Sequence, residues 1–291
     1  MKNPMEIEHI KKCIICESSI IKIDEESNIC KCVECKYIFD SPRPTLKELK
    51  TFYSKPTKYD EWIKEEKGRN LLWRRRRKKL KENYKEGNLL DIGTGIGQFL
   101  FHMEKDGKVY GTEISKSAIE IAKNRYKLDI IEGEVETIDF KHNFDNITLF
   151  HILEHVPNPK KTIKKCNQIL NKDGIITIAV PNDIDSLKYR IKRILTKMKV
   201  GKFSNLGKMG FKKIKLDGSM DEIHLSHFTE EVLKKLLKDN GFKIVNTCLD
   251  PYYSSIGKKR IKDEIYYQFC LIIKKIFKIN IYECIWIVGK K

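Results

Sequence analysis

Short apolar runs alternate with amphipathic stretches from residue 89 onward, and this alternation predicts most of the fold. Buried strands are predicted at Leu89–Ile92, Val109–Glu113, Leu128–Glu132, Phe144–Phe150 and Ile175–Val180. Helices that separate most of these strands are predicted near 98–105, 116–126 and 159–170. Because strands and helices alternate, we expect an α/β, doubly wound fold with a mostly parallel sheet covered on both faces.

The segment near 229–240 has the clearest helical pattern. Thr229 is a suitable N-cap, two acidic residues follow it, and Gly241 is a stop signal. The apolar stripe of this helix consists of Val232, Leu233, Leu236 and Leu237. Two further strands, Phe242–Leu249 and Ile281–Val288, bring the predicted sheet to seven strands.

Ahead of this pattern, the chain divides into two parts. Residues 1–45 contain a cysteine cluster and end in two prolines at 42 and 44, which disfavour helix and mark a boundary. Residues 46–86 read as a polar, basic, helical linker or cap. We therefore expect the α/β domain to occupy 87–291, with a basic insertion at 184–222 and a helical insertion at 258–280.

Composition narrows the classes of protein. The 291-residue chain carries a net charge of +18, which predicts attraction to phosphates, anionic lipid or acidic substrates. It shows neither a signal peptide nor a run of about 18 apolar residues. Five of its nine cysteines lie between Cys13 and Cys35, a clustering typical of a metal site in a reducing compartment. We expect a cytoplasmic protein, with peripheral attachment at the inner membrane face left open.

The cysteine cluster has the spacing of a two-knuckle zinc site. Cys13-x-x-Cys16 is followed, after fifteen residues, by Cys32-x-x-Cys35. Four thiolates would leave no open position on the metal, so we expect a structural zinc ribbon. Cys30 is an ambiguous fifth thiol, and iron in place of zinc stays open.

The first predicted strand runs into a glycine loop and then a helix. The sequence Asp91-Ile92-Gly93-Thr94-Gly95-Ile96-Gly97 allows a tight turn and a close approach of a ligand to the backbone. Glu113 ends the next strand, 20 residues after Gly93. A carboxylate in that position can accept hydrogen bonds from both hydroxyls of a ribose, so the pair predicts a nucleotide site.

These residues belong to an ordered set of segments: LLDIGTGIGQFL, VYGTEIS, GEVETIDF, FDNITLFHILEHVPNP, LNKDGIITIAVPN and HLSHFTEEVLKKLLKDNGFKIV. The set resembles the class I S-adenosylmethionine-dependent methyltransferases, in particular the group that includes the ubiquinone-biosynthesis O-methyltransferases. The resemblance covers about 89–250 and implies a Rossmann-like sheet and S-adenosylmethionine as methyl donor. The N-terminal ribbon is similar to a module of prokaryotic methyltransferases linked to surface-glycan or lipid-linked pathways.

The resemblance also implies individual roles. The residues expected to bind the cofactor are Asp91, Gly93, Thr94, Gly95, Gly97, Glu113, Ile114, Glu134, Val135 and His151. Among them, the glycine loop would shape the methionine pocket and Glu113 would hold the ribose. Glu134 and the amide of Val135 would face the adenine, and His151 would lie near the sulfonium.

Three residues after the fourth strand are the catalytic candidates: His151, Glu154 and His155. On a helical turn they share one face, and His155 is the best candidate for a general base. In the same group of enzymes, a related Glu-x-x-Glu-His holds a divalent metal. In this chain His224 or His227 can supply a further ligand to such a site. We favour the simpler alternative, in which Glu154 and His155 only hydrogen-bond the loops that shape the pocket.

Two basic segments bear on partners. Arg74–Arg77 continue into two lysines, and 186–216 contains eleven Lys or Arg and no acidic residue. The second segment predicts a basic amphipathic helix through Leu187, Ile191, Ile194, Leu195 and Met198. Another apolar-basic helix is expected near 265–279. Both can pack on the core or a second subunit, or face an anionic membrane, and the sequence favours neither.

The leading hypothesis is O-methylation of a small-molecule, glycan or lipid-linked acceptor. The first alternative is an RNA 2′-O-methyltransferase, since the ribbon and the positive charge suit nucleic acid. The second is a non-catalytic zinc-ribbon binding protein. The acceptor and the oligomeric state stay open.

Overall fold

The computed structural model describes residues 5–55, 59–212, 214–215, 220 and 222–291. Parts of three predicted segments therefore lie outside the described residues: the start of 1–45, the middle of 46–86 and several positions of 184–222. The N-terminal part forms strands β1 (Ile7–Glu8), β2 (Ile20–Asp24), β3 (Ile29–Cys32), β4 (Ile38–Asp40) and β5 (Arg43–Pro44). Strands β2, β3 and β4 pair antiparallel in sequence order, and β1 pairs with β5.

The predicted helical cap contains three helices: α1 (Leu46–Tyr53), α2 (Asp60–Lys64) and α3 (Glu66–Leu80). In α3 the buried positions include Leu72, Trp73 and Leu80, which gives this very basic helix an inner apolar edge. Trp73 and Leu80 join the core beneath the sheet together with Phe99 and Leu100. The cap is therefore held by apolar burial despite its charge.

The centre of the molecule is a seven-stranded sheet. Its strands are β6 (Leu89–Ile92), β7 (Val109–Glu113), β8 (Ile130–Glu132), β9 (Phe144–Phe150), β10 (Leu170–Pro181), β12 (Lys243–Leu249) and β13 (Cys284–Lys290). The order across the sheet is β12-β13-β10-β9-β6-β7-β8, and only β13 runs antiparallel to its neighbours. The predicted doubly wound, mostly parallel, seven-stranded Rossmann-like sheet is confirmed.

Helices cover both faces of this sheet: α4 (Gln98–Met103), α5 (Lys116–Tyr126), α6 (Pro159–Ile169) and α8 (Glu230–Asp239). The N–H of Val232 donates to Thr229 Oγ1 over 3.3 Å, so α8 begins at the predicted cap. Its apolar stripe is buried in one core with Ile285 and Ile287 of β13.

Some element limits differ from the predictions for local reasons. Strand β8 begins at Ile130 because Leu128 is used to end α5, its N–H donating to Ala122 O. Strand β10 begins at Leu170, which pairs with Phe144 across a register shift before Ile175.

The N-terminal module is continuous with the sheet domain. Strand β11 (Ser226–His227) pairs with β4 and so adds a fourth strand to the sheet of β2, β3 and β4. Tyr37 hydrogen-bonds Ser226 and its ring lies 5.7 Å from that of Phe228. The cysteine-rich segment therefore supports the chain that enters α8.

The two insertions each contain a helix, α7 (Leu187–Lys197) and α9 (Gly257–Phe277). Helix α9 begins at Gly257, earlier than the predicted start near 265. The basic segment that precedes residue 265 is part of the helix. Within the described part of the chain, no helix is both long and apolar enough to span a bilayer. The expected cellular location stays a prediction.

Candidate active site

A cavity of about 910 Å³ opens at the carboxyl ends of β6, β7 and β9, beneath α1–α3. Parallel α/β sheets place ligand sites at this edge, where strand order reverses. All ten expected cofactor-binding residues except Gly97 line the cavity. Segments far apart in the chain complete its wall, among them Tyr53, Trp62, Arg69, Glu222 and Tyr252.

The glycine loop follows β6 directly. Gly93, Gly95 and Gly97 all have left-handed φ, of +68°, +56° and +79°. A Cβ added to Gly95 would lie 3.0 Å from the Trp62 ring, so the loop presents bare backbone to that side of the cavity. Gly97 lies behind the loop, where a Cβ would meet Leu128 at 2.7 Å. Its role is therefore packing of the loop onto α5.

Glu113 closes the opposite side of the loop. Its Oε2 accepts from Gly95 N–H at 2.8 Å, and its Oε1 accepts from the N–H groups of Ile114 and Ser115 at 2.8 and 3.0 Å. Burial raises the pKa of this carboxyl, and the three N–H groups oppose that effect. Glu113 thus fixes the loop, and of its about four acceptor sites one, on Oε2, is left for a further donor.

Asp91 and Glu134 lie on either side of Glu113. Asp91 Oδ1 accepts from Thr148 Oγ1 at 2.6 Å, and burial raises the pKa of Asp91 to about 7. Glu134 forms an ion pair with Lys50 of α1, Nζ to Oε1 2.6 Å, beside the buried Val135. The cap helix therefore reaches over the end where adenine is expected.

Arg69 of α3 is a site residue that sequence reasoning missed. It is only 7% exposed, lies 3.9 Å over the Trp62 ring, and donates from Nε to Gln98 Oε1 at 2.9 Å. Burial lowers the pKa of its guanidinium to about 10. Among the described residues no carboxylate is within ion-pair distance of Arg69, although it faces the cavity beside the glycine loop. Nothing in its local sequence separates it from the exposed cations of α3.

His151 is held between two carboxylates. Its Nδ1 is 3.3 Å from Glu154 Oε1 and its Nε2 is 3.4 Å from Asp250 Oδ2. Asp250 also forms a buried bidentate pair with Arg76, with Nε to Oδ1 at 3.0 Å. Burial alone would lower the pKa of His151, but these carboxylates raise it above the ordinary value.

One of the two ring nitrogens of His155 is held by a hydrogen bond to a backbone carbonyl. Its Nδ1 is 2.7 Å from the carbonyl oxygen of Ile223, and a carbonyl can only accept, so Nδ1 carries the proton. The Tyr53 hydroxyl lies 3.0 Å from the same nitrogen. The other ring nitrogen, Nε2, is therefore the atom that would take up a proton. It lies 3.4 Å from Glu222 Oε1 at the cavity wall. Of the three expected catalytic residues, His155 has the geometry of a base.

Glu154 is fully buried, and apart from the 3.3 Å approach of His151 Nδ1 its carboxylate oxygens have no hydrogen-bond partner within the described residues. Glu154, His155 and His224 bring ligand atoms within 4.8 Å of one another. This set of two imidazoles and one carboxylate suits a transition metal better than magnesium. His227, the alternative third ligand, instead lies between Asp40 and Asp183, with ring nitrogens at 2.9 and 3.5 Å from them.

The four predicted cysteine ligands come together. Their sulfurs all lie within 4.8 Å of one another, with Cys13–Cys35 at 3.5 Å and Cys16–Cys32 at 3.4 Å. A zinc tetrahedron with 2.3 Å bonds has sulfur–sulfur edges of about 3.8 Å, so the residues fit the metal. Lys36, at the usual glycine position of the knuckle, adopts a left-handed φ of +63°. Cys30 lies in β3, outside this group of four.

This fold and cavity define a nucleotide-binding α/β enzyme of the methyltransferase type. A family model described as a methyltransferase domain matches residues 65–247, and the chain belongs to that family. It is 31% identical over 182 residues to a ubiquinone biosynthesis O-methyltransferase of Pelagibacter ubique, covering 58% of this chain and 74% of the relative. It is 30% identical over 209 residues to an uncharacterised protein of Methanocaldococcus jannaschii, covering 68% and 78%.

Solved structures agree on the fold. An S-adenosylmethionine-dependent methyltransferase from Thermotoga maritima superposes with a TM-score of 0.53 at 18% identity, covering 84% of this chain and 99% of its own. Magnesium protoporphyrin IX methyltransferase from Synechocystis, with bound S-adenosylhomocysteine, has the same TM-score at 12% identity, covering 84% and 98%. The family match makes the chain a methyltransferase, which confirms the predicted enzyme class, and the solved structures show that its fold is that of S-adenosylmethionine-dependent enzymes.

Proposed function

We propose that the enzyme transfers the methyl group of S-adenosylmethionine to a hydroxyl group of a small-molecule, glycan or lipid-linked acceptor. The observation that carries this proposal is the cavity itself, which is lined by the glycine loop and by His155, whose Nδ1 is held by the Ile223 carbonyl while Nε2 is left for a proton. Bound S-adenosylmethionine supplies an electrophilic methyl group on a sulfonium sulfur.

The cofactor half of the cavity would bind three parts of the donor. Arg69 would pair with the carboxylate of the amino-acid tail, because it is a buried cation beside the glycine loop without a carboxylate of its own. Glu113 would accept from the ribose hydroxyls, and Val135 N–H with Glu134 would face the adenine. His151 would lie towards the sulfonium.

In the acceptor half, His155 Nε2 would take the proton of the acceptor hydroxyl as its oxygen attacks the methyl carbon. As the oxygen–carbon bond forms, the carbon–sulfur bond would break with its electron pair retained by sulfur, leaving a methyl ether and S-adenosylhomocysteine. The Ile223 carbonyl and Tyr53 hold the ring in the tautomer that this step needs. Alignment and exclusion of water provide most of the remaining acceleration.

Two further assignments support this site without entering the step. We propose that Cys13, Cys16, Cys32 and Cys35 hold a structural zinc ion, which would stabilise a segment too small for a core of its own. A second divalent ion at Glu154, His155 and His224 stays an alternative to plain hydrogen bonding. Its test is whether chelation lowers turnover without releasing the ribbon metal.

The contacts that Arg75, Arg76 and Arg77 make within the protein argue against the RNA alternative. Arg76 pairs with Asp250 inside the protein, Arg77 pairs with Asp106, and Arg75 lies 3.8 Å over the Tyr253 ring. These side chains are therefore used internally and are not a phosphate-binding face. The family assignment likewise favours an enzyme over a non-catalytic binding protein.

Isothermal calorimetry with S-adenosylhomocysteine tests the cofactor half. We expect Glu113→Gln and Arg69→Met each to weaken binding by about tenfold or more, since each removes a charged hydrogen-bonding partner. Glu132→Gln and Arg74→Met are matched controls, because both side chains are exposed one strand or one turn away. Unchanged affinity in both site variants would refute the assignment.

Transfer of a labelled methyl group from S-adenosylmethionine tests the acceptor class. We expect label in the small-molecule, glycan or lipid fraction of a cell extract and none in its RNA fraction. Label confined to RNA would replace the proposal with the RNA alternative.

A further inference from the structure

Helix α9 exposes its apolar stripe to solvent, whereas a helix of a globular protein normally packs such a stripe on the core. Its inner face is formed by Tyr267, Cys270 and Lys274, which are buried. Lys274 Nζ lies 2.5 Å from Glu230 Oε2 and so fixes α9 to α8. The opposite face consists of large apolar side chains that are 51% to 65% exposed: Ile261, Ile265, Phe269, Ile272 and Ile276. A contiguous exposed stripe of this kind indicates a binding surface.

Helix α7 carries a second exposed apolar stripe. Its outward residues are exposed at helical spacing: Leu187, Ile191, Ile194 and Met198. The N–H of Leu187 donates to Ile281 O at 2.8 Å, and Lys188 pairs with Glu283 at 3.3 Å. The start of α7 is therefore fixed to the chain that follows the end of α9.

The charges around these stripes indicate which kind of partner would bind there. The segment 256–279 carries seven Lys or Arg and two acidic residues, and 186–216 carries eleven Lys or Arg and no acidic residue. A second copy of the chain docked on this face would bring these cations together, which opposes association. An anionic lipid surface offers an apolar interior beneath negative headgroups and matches both properties.

We propose that α9 and α7 form a docking surface for an anionic membrane, with α9 contributing most of the inserted apolar area. The location of the cavity is consistent with this. Tyr252 lines the cavity, and the chain between it and α9 packs on Gly68 of α3, where an added Cβ would lie 1.8 Å from Ser254 O. The neighbouring Arg69 also lines the cavity, so only a short segment that packs on α3 separates the cavity wall at Tyr252 from the start of α9 at Gly257.

Vesicle co-sedimentation of the full chain tests this docking surface. We expect binding to vesicles of phosphatidylglycerol and phosphatidylcholine, and little to phosphatidylcholine alone. The triple variant Ile265→Ser, Phe269→Ser, Ile272→Ser should bind at least about tenfold more weakly, because it removes the middle of the apolar stripe. The matched control Ile21→Ser, Phe101→Ser, Val245→Ser changes exposed apolar residues elsewhere and should bind as the parent does.

A second variant tests the electrostatic part. Lys258→Glu, Lys262→Glu and Lys275→Glu together should remove the preference for anionic vesicles while leaving the stripe intact. Absence of vesicle binding by the parent chain, or equal binding by the α9 triple variant, would overturn the proposal. So would light scattering that shows a parent dimer converted to monomer by that variant, because the occupant would then be a second copy.

Calorimetry with S-adenosylhomocysteine separates this proposal from the proposed function. All the variants on α9 should keep the cofactor affinity and the melting temperature of the parent, since the substituted side chains are exposed. Loss of vesicle binding with retained cofactor binding therefore concerns the surface alone, whatever the acceptor proves to be.

Discussion

The two halves of the cavity are built differently. The cofactor half is formed mainly by short contiguous stretches at strand ends, in which Glu113 binds Gly95 across only 18 positions. The acceptor half joins residues that are far apart: Tyr53 meets His155 across 102 positions, and His155 meets the Ile223 carbonyl across 68. The first half depends on the local course of the backbone. The second depends on the packing of the cap, the ribbon and the insertion around it.

This difference predicts that changes in the acceptor half impair turnover and spare cofactor binding. The largest effect is expected for His155→Gln, which should lower kcat by about 10² to 10⁴-fold because the proton acceptor is lost. The affinity for S-adenosylhomocysteine should stay within about twofold of the parent in calorimetry. His142→Gln, at an exposed histidine, is the control. A parallel loss of cofactor affinity would place His155 in the wrong half.

The converse change is Gly95→Leu. A side chain here requires a left-handed φ and enters the cavity towards Trp62, so cofactor affinity should fall by about a hundredfold or more. Gly201→Leu is matched to it, since Gly201 also has a left-handed φ but no atom within 4 Å of an added Cβ. Similar losses in the two variants would show that backbone strain, and not occupation of the cavity, is responsible.

The ribbon should belong to the acceptor half, because β11 ties it to the chain that carries Ile223 and His224. Cys32→Ser should release the bound metal and lower the melting temperature by about 10 °C. Below that temperature, cofactor affinity should change little while turnover falls. Cys248→Ser, outside the cluster, is the control, and elemental analysis gives the metal content. An unchanged turnover would separate the ribbon from the acceptor half.

The smallest effect concerns pH. Burial would lower the pKa of His227, but Asp183 and Asp40 raise it to about 9, above the ordinary value of about 6.5. Because the folded-state pKa is the higher one, the stabilisation is complete below about pH 6.5 and is lost as pH rises through about 9. The contribution is of the order of 3 kcal/mol.

Thermal unfolding between pH 6 and 10 tests this contribution. The melting temperature of the parent should fall with rising pH, and His227→Gln should flatten that part of the curve. An equally steep fall in the variant would assign the pH dependence to other groups.

The sequence by itself determined the sheet, the glycine loop and the four-cysteine cluster. Apolar periodicity, left-handed glycines and ligand spacing act over a few residues, so they are legible in the chain. Only the tertiary structure decided which of several similar side chains become functional. Arg69 and Arg76 turn inward while Arg74 stays exposed, and α9 buries Lys274 but exposes Ile265. These outcomes depend on tertiary packing, because the partners of Arg69, Lys274 and Arg76 lie 29, 44 and 174 positions away.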